Sequence, residues 1–266
     1  MKKQHITLLI TLLAFGLYFL VDEQYFSALR TWINGFINQI GISHILAYLI
    51  VGIPIFIGVL YLHGKNKWAE SLGLDQPIVK GLLFSLLCTL PMFVGYGIVF
   101  SFNTEFSLNH LLVTVIAAAL FEELYFRGFL FGQLYRYTNW GFIPSVLIGA
   151  ILFGIVHLYQ GTQLNELIGI FTVTFMGAVL YAWVYVEWNY NLWVPIFLHL
   201  FMNLSWGLFS AGDSALGGMY ANLFRSITIA LIIILTIRYK RRNNKKLAVN
   251  RKTFWVKKPL YQEEQD

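Results

Sequence analysis

An all-α, polytopic transmembrane helical bundle of about eight membrane helices is the fold class this sequence predicts, on three observations. Of its 266 residues, 58% are hydrophobic and only 12% charged, about half the ~25% charged fraction of soluble domains. The apolar residues fall in successive runs close to the ~20 residues that cross a bilayer. The basic charge is also gathered in one place: ten of nineteen Lys and Arg residues lie between Arg238 and Lys258, behind the last run. Thirteen acidic and nineteen basic residues cannot cover the surface of a soluble chain this long. A water-soluble enzyme and a DNA-binding domain are therefore excluded, and the basic segment reads as a juxtamembrane tail near anionic lipid.

The first run, about Ile6–Val21, follows Lys2 and Lys3. Asp22, Glu23 and Gln24 come next instead of a small-residue cleavage site, so an uncleaved helix is expected. Residues 24–43 mix aromatic and polar side chains and read as an outer interfacial segment. Further spans are expected at about Ile45–Leu62, Gly81–Phe100, Leu108–Phe131, Phe142–Leu158, Leu167–Val186, Leu192–Phe209 and Phe224–Ile237, the last extending back towards Tyr220. Helices are favoured over a barrel because each run is long enough to satisfy its own backbone in lipid. No repeat, low-complexity stretch or linker divides the chain. Residues 1–242 are read as one transmembrane domain and 243–266 as a basic cytoplasmic tail, flexible or interfacial. Cys88, the single cysteine, excludes an intramolecular disulfide and a cysteine-based zinc cluster.

Placing both termini in the cytoplasm puts sixteen basic residues inside: Lys2, Lys3, Lys65, Lys67, Lys80, Arg136 and the ten of the tail. Arg30 and Arg225 fall outside or at the outer interface, and Arg127 lies within a span. That distribution satisfies the positive-inside rule.

Ionisable groups within spans cost roughly 2.5–3.5 kcal/mol on insertion scales and are functional candidates by default. Glu122, Glu123 and Arg127 share one span, His157 ends another, and His199 and Asn203 lie in a third. Glu123 and Arg127 stand at i and i+4, a spacing that pairs them on one helix face; His199 and Asn203 repeat it, as do Phe153 and His157. Each pair alone suits a structural salt bridge, an interfacial histidine or interhelical hydrogen bonding. Glu122 does not, because one Arg127 neutralises one carboxylate. If the three spans converge, Glu122 and His157 can polarise a water for attack on a peptide carbonyl. His199 and Asn203 would then donate to the developing oxyanion, while Glu123–Arg127 supports the helix.

The same residues resemble a known family. Glu122-Glu123-Leu124-Tyr125-Phe126-Arg127 matches the EExxxR motif of the CAAX-type (CPBP, lysostaphin-resistance-protein-A-like) intramembrane proteases. Phe153-Gly154-Ile155-Val156-His157 matches their FxxxH motif, and His199-Leu200-Phe201-Met202-Asn203 their HxxxN motif, in the family's order and within residues 108–209. The resemblance implies an intramembrane endopeptidase with Glu122 and His157 as water activators and His199 and Asn203 on the oxyanion side. Glu123, Arg127 and Phe153 become supporting residues.

No cofactor is favoured. A divalent metal such as zinc remains the other reading, with Glu122, His157 and His199 as its ligands, but no HExxH occurs and a glutamate–histidine pair activates water unaided. The implied partners are a membrane-associated peptide or protein substrate and the lipid bilayer, with no nucleic acid. The implied location is a bacterial plasma membrane, and the implied roles are peptide maturation or bacteriocin self-immunity. The alternatives are a non-catalytic scaffold or immunity protein of the same fold, and a small transporter, for which no inverted repeat is evident.

Overall fold

Prolines and glycines decide where this apolar chain turns. The computed structural model describes residues 3–258; Lys2 and residues 259–266 of the tail, both assigned above to the inner side, lie outside them. Among the described residues the regular elements are helical, apart from one isolated antiparallel bridge between Trp140 and Val256. The α-helices are α1 Lys3–Ile37, α2 Ile40–Val51, α3 Ile53–Leu72, α4 Ile78–Val99, α5 Leu108–His110, α6 Gly132–Tyr137, α7 Phe142–Val156, α8 Leu164–Glu187, α9 Trp193–Leu208 and α10 Met219–Arg242. A π-helix, Leu111–Phe131, joins α5 to α6. Pro54 opens α3 and Pro77 precedes α4, while Pro144 and Pro195 sit in the first turns of α7 and α9. Proline is tolerated there because those N–H groups have no intrahelical partner.

Every expected span is helical, but the boundaries change. Nothing between Val21 and Ile37 breaks the helix, so α1 runs 35 residues and absorbs most of the expected interfacial segment. At ~1.5 Å per residue it outreaches a ~30 Å hydrocarbon layer, and exposed Trp32 and Phe36 lie in the overhang. The span expected at 45–62 is two helices, α2 and α3, bent by 45° at Gly52. A Cβ on Gly52 would run into the Tyr125 hydroxyl, which donates to Tyr48 O at 2.8 Å. Among the described residues five helices are long and apolar enough to cross a membrane, or six with the bent pair as one span. Of the eight expected, α9 falls short at 16 residues and the π-helix segment carries three charges in its span. These apolar helices are those of an integral membrane protein.

Hydrogen bonds between elements define two ends of the bundle. At one end Leu192 N–H donates to Gly73 O at 3.0 Å, and Arg136 Nη1 donates to Glu70 O and Ser71 O at 3.0 and 2.8 Å. At the other, Gly41 N–H donates to Asn109 Oδ1 at 3.1 Å and Asn103 N–H to Leu208 O at 2.8 Å. There too Tyr96 Oη–H donates to Ala221 O at 3.0 Å and Ala215 N–H to Gln160 Oε1 at 2.7 Å. Successive expected spans run between these ends in alternating directions.

The π-helix lies at the centre. Phe121, Tyr125, Phe129 and Phe131 on it are buried, with α1 and α2 packed around them through Tyr18–Tyr125 and Tyr48–Phe121 ring contacts at 4.8 and 5.0 Å. Aromatic packing matters here because lipid tails remove most of the hydrophobic drive between helices.

Residues 243–258 of the tail are held against the bundle by hydrogen bonds. Buried Glu187, at the end of α8, pairs with Lys240 Nζ at 3.0 Å and accepts the N–H groups of Ala248 and Val249 at 3.1 and 2.9 Å. Gly141, Phe142 and Ile143 donate to the carbonyls of Trp255, Thr253 and Phe254 at 2.9, 2.8 and 2.8 Å. The tail thereby satisfies the N–H groups that begin α7, where no side chain caps the helix.

Candidate active site

Three helices bring the expected polar residues to one cavity of about 1240 Å³, lined by Glu122, Arg127, Phe153, His157, His199 and Asn203 among others. The π-helix supplies the carboxylates, α7 supplies Phe153 and ends at His157, and α9 supplies His199 and Asn203. Such wider windings are uncommon and concentrate at functional sites.

Glu123 Oε1 and Arg127 Nη1 lie 3.2 Å apart, as the i,i+4 spacing predicts, with the Glu123 side chain 0% exposed. The same Oε1 lies 2.8 Å from His199 Nδ1. A carboxylate paired with arginine only accepts, so Nδ1 carries the hydrogen and the imidazole is fixed in one orientation. Its other nitrogen, Nε2, then faces Glu122 Oε2 at 4.0 Å. The Glu122 side chain is 20% exposed where Glu123 is fully buried, and that difference separates a carboxylate reaching the cavity from one locked behind it.

Aromatic rings complete the setting of Arg127. Its guanidinium carbon lies 4.4 Å from the Phe153 ring centroid and 5.6 Å from that of Tyr181. Both terminal nitrogens lack an aligned hydrogen bond, so ring faces supply part of the stabilisation that solvent would give. Phe153 also stands against His157, ring centroids 4.4 Å apart, and His157 Nδ1 lies 2.7 Å from Phe153 O. A backbone carbonyl accepts only, so His157 Nε2 is the nitrogen left to act on the cavity.

The expected groups are not equally close. Glu122, Glu123, Arg127 and His199 form one contiguous cluster. His157 lines the cavity but makes no ion pair with Glu122, and Asn203 donates Nδ2 to Thr114 O at 2.8 Å. Tyr181 was invisible to sequence reasoning: its ring lies 5.9 Å from that of His199, and its hydroxyl donates to Met202 Sδ at 3.0 Å. One tyrosine among fifteen, in no motif, carries no signal.

Glu122, His157 and His199 do not fit the zinc reading as a donor set. Among the described residues no group of three His, Cys, Asp or Glu side chains is arranged to hold a metal ion.

Comparison with known proteins meets the same residues. Residues 104–205 match the family model described as type II CAAX prenyl endopeptidase Rce1-like. The Bacillus subtilis protein named "Putative membrane peptidase YdiL" is 39% identical over 93 residues, 35% of this chain and 34% of that protein. The match thus spans about a third of the curated relative's length. No solved structure matches significantly. The resemblance first drawn from three motifs is borne out over residues 104–205, which contain all seven motif residues from Glu122 to Asn203.

Proposed function

We propose that this protein is an intramembrane endopeptidase that hydrolyses a peptide bond of a membrane-associated peptide or protein, in a bacterial plasma membrane. The observation that carries the reading is the placement of His199 between two carboxylates, one buried and paired with Arg127, the other facing a cavity. The Rce1-like match over the same residues and the bacterial relative support it.

In the proposed reaction, water bound against Glu122 gives a proton to that carboxylate as its oxygen attacks the scissile carbonyl carbon. His157, which lines the same cavity, orients that water. Glu122 suits the base role because its carboxylate, partly exposed where that of Glu123 is buried, reaches the cavity. Negative charge then develops on the carbonyl oxygen. His199 Nε2–H answers it when the ring is protonated, and the Asn203 amide hydrogen not used on Thr114 answers it too. Collapse breaks the C–N bond, and the proton held by Glu122 passes to the leaving amine. Glu123 and Arg127 are positioning residues: they fix the His199 ring and keep a second negative charge from opposing Glu122.

Replacement of Glu122, His157 or His199 by alanine, scored by new peptide termini in the membrane fraction, tests this reading. All three variants are expected to accumulate in the membrane and to lose the new termini. Retention of a cellular phenotype by all three, with no termini dependent on the native protein, would instead favour a binding or immunity role.

A further inference from the structure

We propose that the active-site cavity opens on the extracytoplasmic face of the membrane, so that its substrates are membrane peptides or proteins presenting an outer juxtamembrane stretch. The substrate half of this proposal rests on the peptidase reading; the direction of the opening does not.

Two independent observations meet here. The first is where the cavity's polar mouth lies. Asn103, Gln160, Asp213 and Ala215 line the cavity. Two of the bonds that define one end of the bundle, Asn103 N–H to Leu208 O and Ala215 N–H to Gln160 Oε1, are made by these residues. His157 ends α7 at that same end, followed two residues on by Tyr159, which also lines the cavity and is 83% exposed. From this rim the cavity passes Glu122, halfway along the π-helix, and its lining towards the other end, Trp183 and Phe142, is apolar.

The second is where the basic charge lies. Lys240 is bonded to Glu187, and Arg136 to Glu70 O and Ser71 O, both at the opposite end. The docked tail places its lysines and arginines there, and Lys80 is in the first turn of α4 at that end. Lys3 opens α1 at the end remote from Asn34, which accepts from Ser43 at the cavity end, and His63 on α3 is bonded to Gln133 in α6. With Lys65 and Lys67 in the second half of α3, fifteen basic residues belong to this end, the ten from Arg238 to Lys258 included. At the cavity end there are Arg30, towards the end of α1, and Arg225, which donates to Ala215 O and Leu216 O. Excess Lys and Arg in short loops marks the cytoplasmic side, and acidic residues contribute little to the rule. Removing the tail from the comparison leaves five against two, with the same sign.

A cytoplasmic tail and an outward-opening cavity on opposite faces constrain the substrate. A peptide whose only polar flank is cytoplasmic would have to carry it through the hydrophobic centre to reach Glu122. An outer flank descends through the rim of Tyr159, Gln160 and Asp213 and meets Glu122 from above.

Thiol labelling in intact cells tests the direction without any cleavage. The sole native cysteine, Cys88, is fully buried and gives a low background. Asp213→Cys and Tyr159→Cys mark the rim at exposed positions, and Lys246→Cys marks the tail. The expected result is reaction of both rim cysteines with a membrane-impermeant maleimide in intact cells, and of the tail cysteine only after permeabilisation. The reverse pattern in both rim variants overturns the proposal. Mapping of Glu122-dependent new termini then tests the substrate half: sites in outer flanks uphold it and sites in cytoplasmic flanks overturn it. Absence of Glu122-dependent termini overturns the substrate half together with the peptidase reading, while the labelling still decides the direction of the opening.

Discussion

His199 Nδ1 lies 2.8 Å from Glu123 Oε1, across 76 residues of sequence and two different helices. Because Glu123 also holds Arg127, the second glutamate of the motif ties π-helix to α9 and dictates which imidazole nitrogen faces the cavity. The two adjacent glutamates therefore do different work, and conservative substitutions separate them.

Glu123→Gln leaves Arg127 buried without its carboxylate. Breaking one side of a buried ion pair costs about 3–5 kcal/mol, so the variant is expected to melt well below the native protein in detergent. Glu122→Gln removes a partly exposed carboxylate with no arginine of its own and is expected to melt close to the native protein. Thermal unfolding of both purified variants checks the contrast.

Gly52→Ala places a methyl group against Tyr125 at the bend between α2 and α3. Overpacking of this kind costs about 1–3 kcal/mol, and the expected outcome is a lowered melting temperature. Adding Tyr125→Phe, which removes the hydroxyl the new Cβ strikes first, is expected to recover part of the loss.

Much of the site was legible because its chemistry is local. The pairs Glu123–Arg127, Phe153–His157 and His199–Asn203 repeat an i,i+4 spacing, and the contacts that spacing implies are present within the first two, at 3.2 and 4.4 Å. The His199–Glu123 bond was not legible, since no periodicity reports which of two neighbouring carboxylates a distant helix meets. The π-winding was equally hidden, because Leu111–Phe131 is as apolar as an α-helical span. In the fold, apolar runs located the long helices but not their ends, and missed α6: α1 continues through Glu23, Gln24 and Arg30, which are good helix formers, and Gly52 at the bend meets Tyr125, 73 positions on. Charge composition alone suggested a loose tail, whereas Glu187 holds it through Ala248 and Val249.

Glu187→Gln weakens that anchor. The amide oxygen can keep one backbone N–H, the NH2 group cannot accept the other, and Lys240 is no longer neutralised. Limited proteolysis of inverted membrane vesicles is expected to cut between Asn243 and Lys258 at least several-fold faster in the variant than in the native protein. Equal rates would place the tail's stability in its bonds to Gly141, Phe142 and Ile143 instead.

Water attack promoted by Glu122 leaves an isotopic signature. General-base contributions of about 10²–10⁴-fold make Glu122→Gln nearly silent while the protein still inserts. The most direct measurement compares membrane peptides, by mass spectrometry in heavy-oxygen water, between cells making the native protein and cells making Glu122→Gln. New carboxyl termini carrying one solvent oxygen should be present with the native chain and depleted at least a hundredfold with the variant. Identical termini in both, at matched protein levels, would contradict a hydrolytic role for this carboxylate.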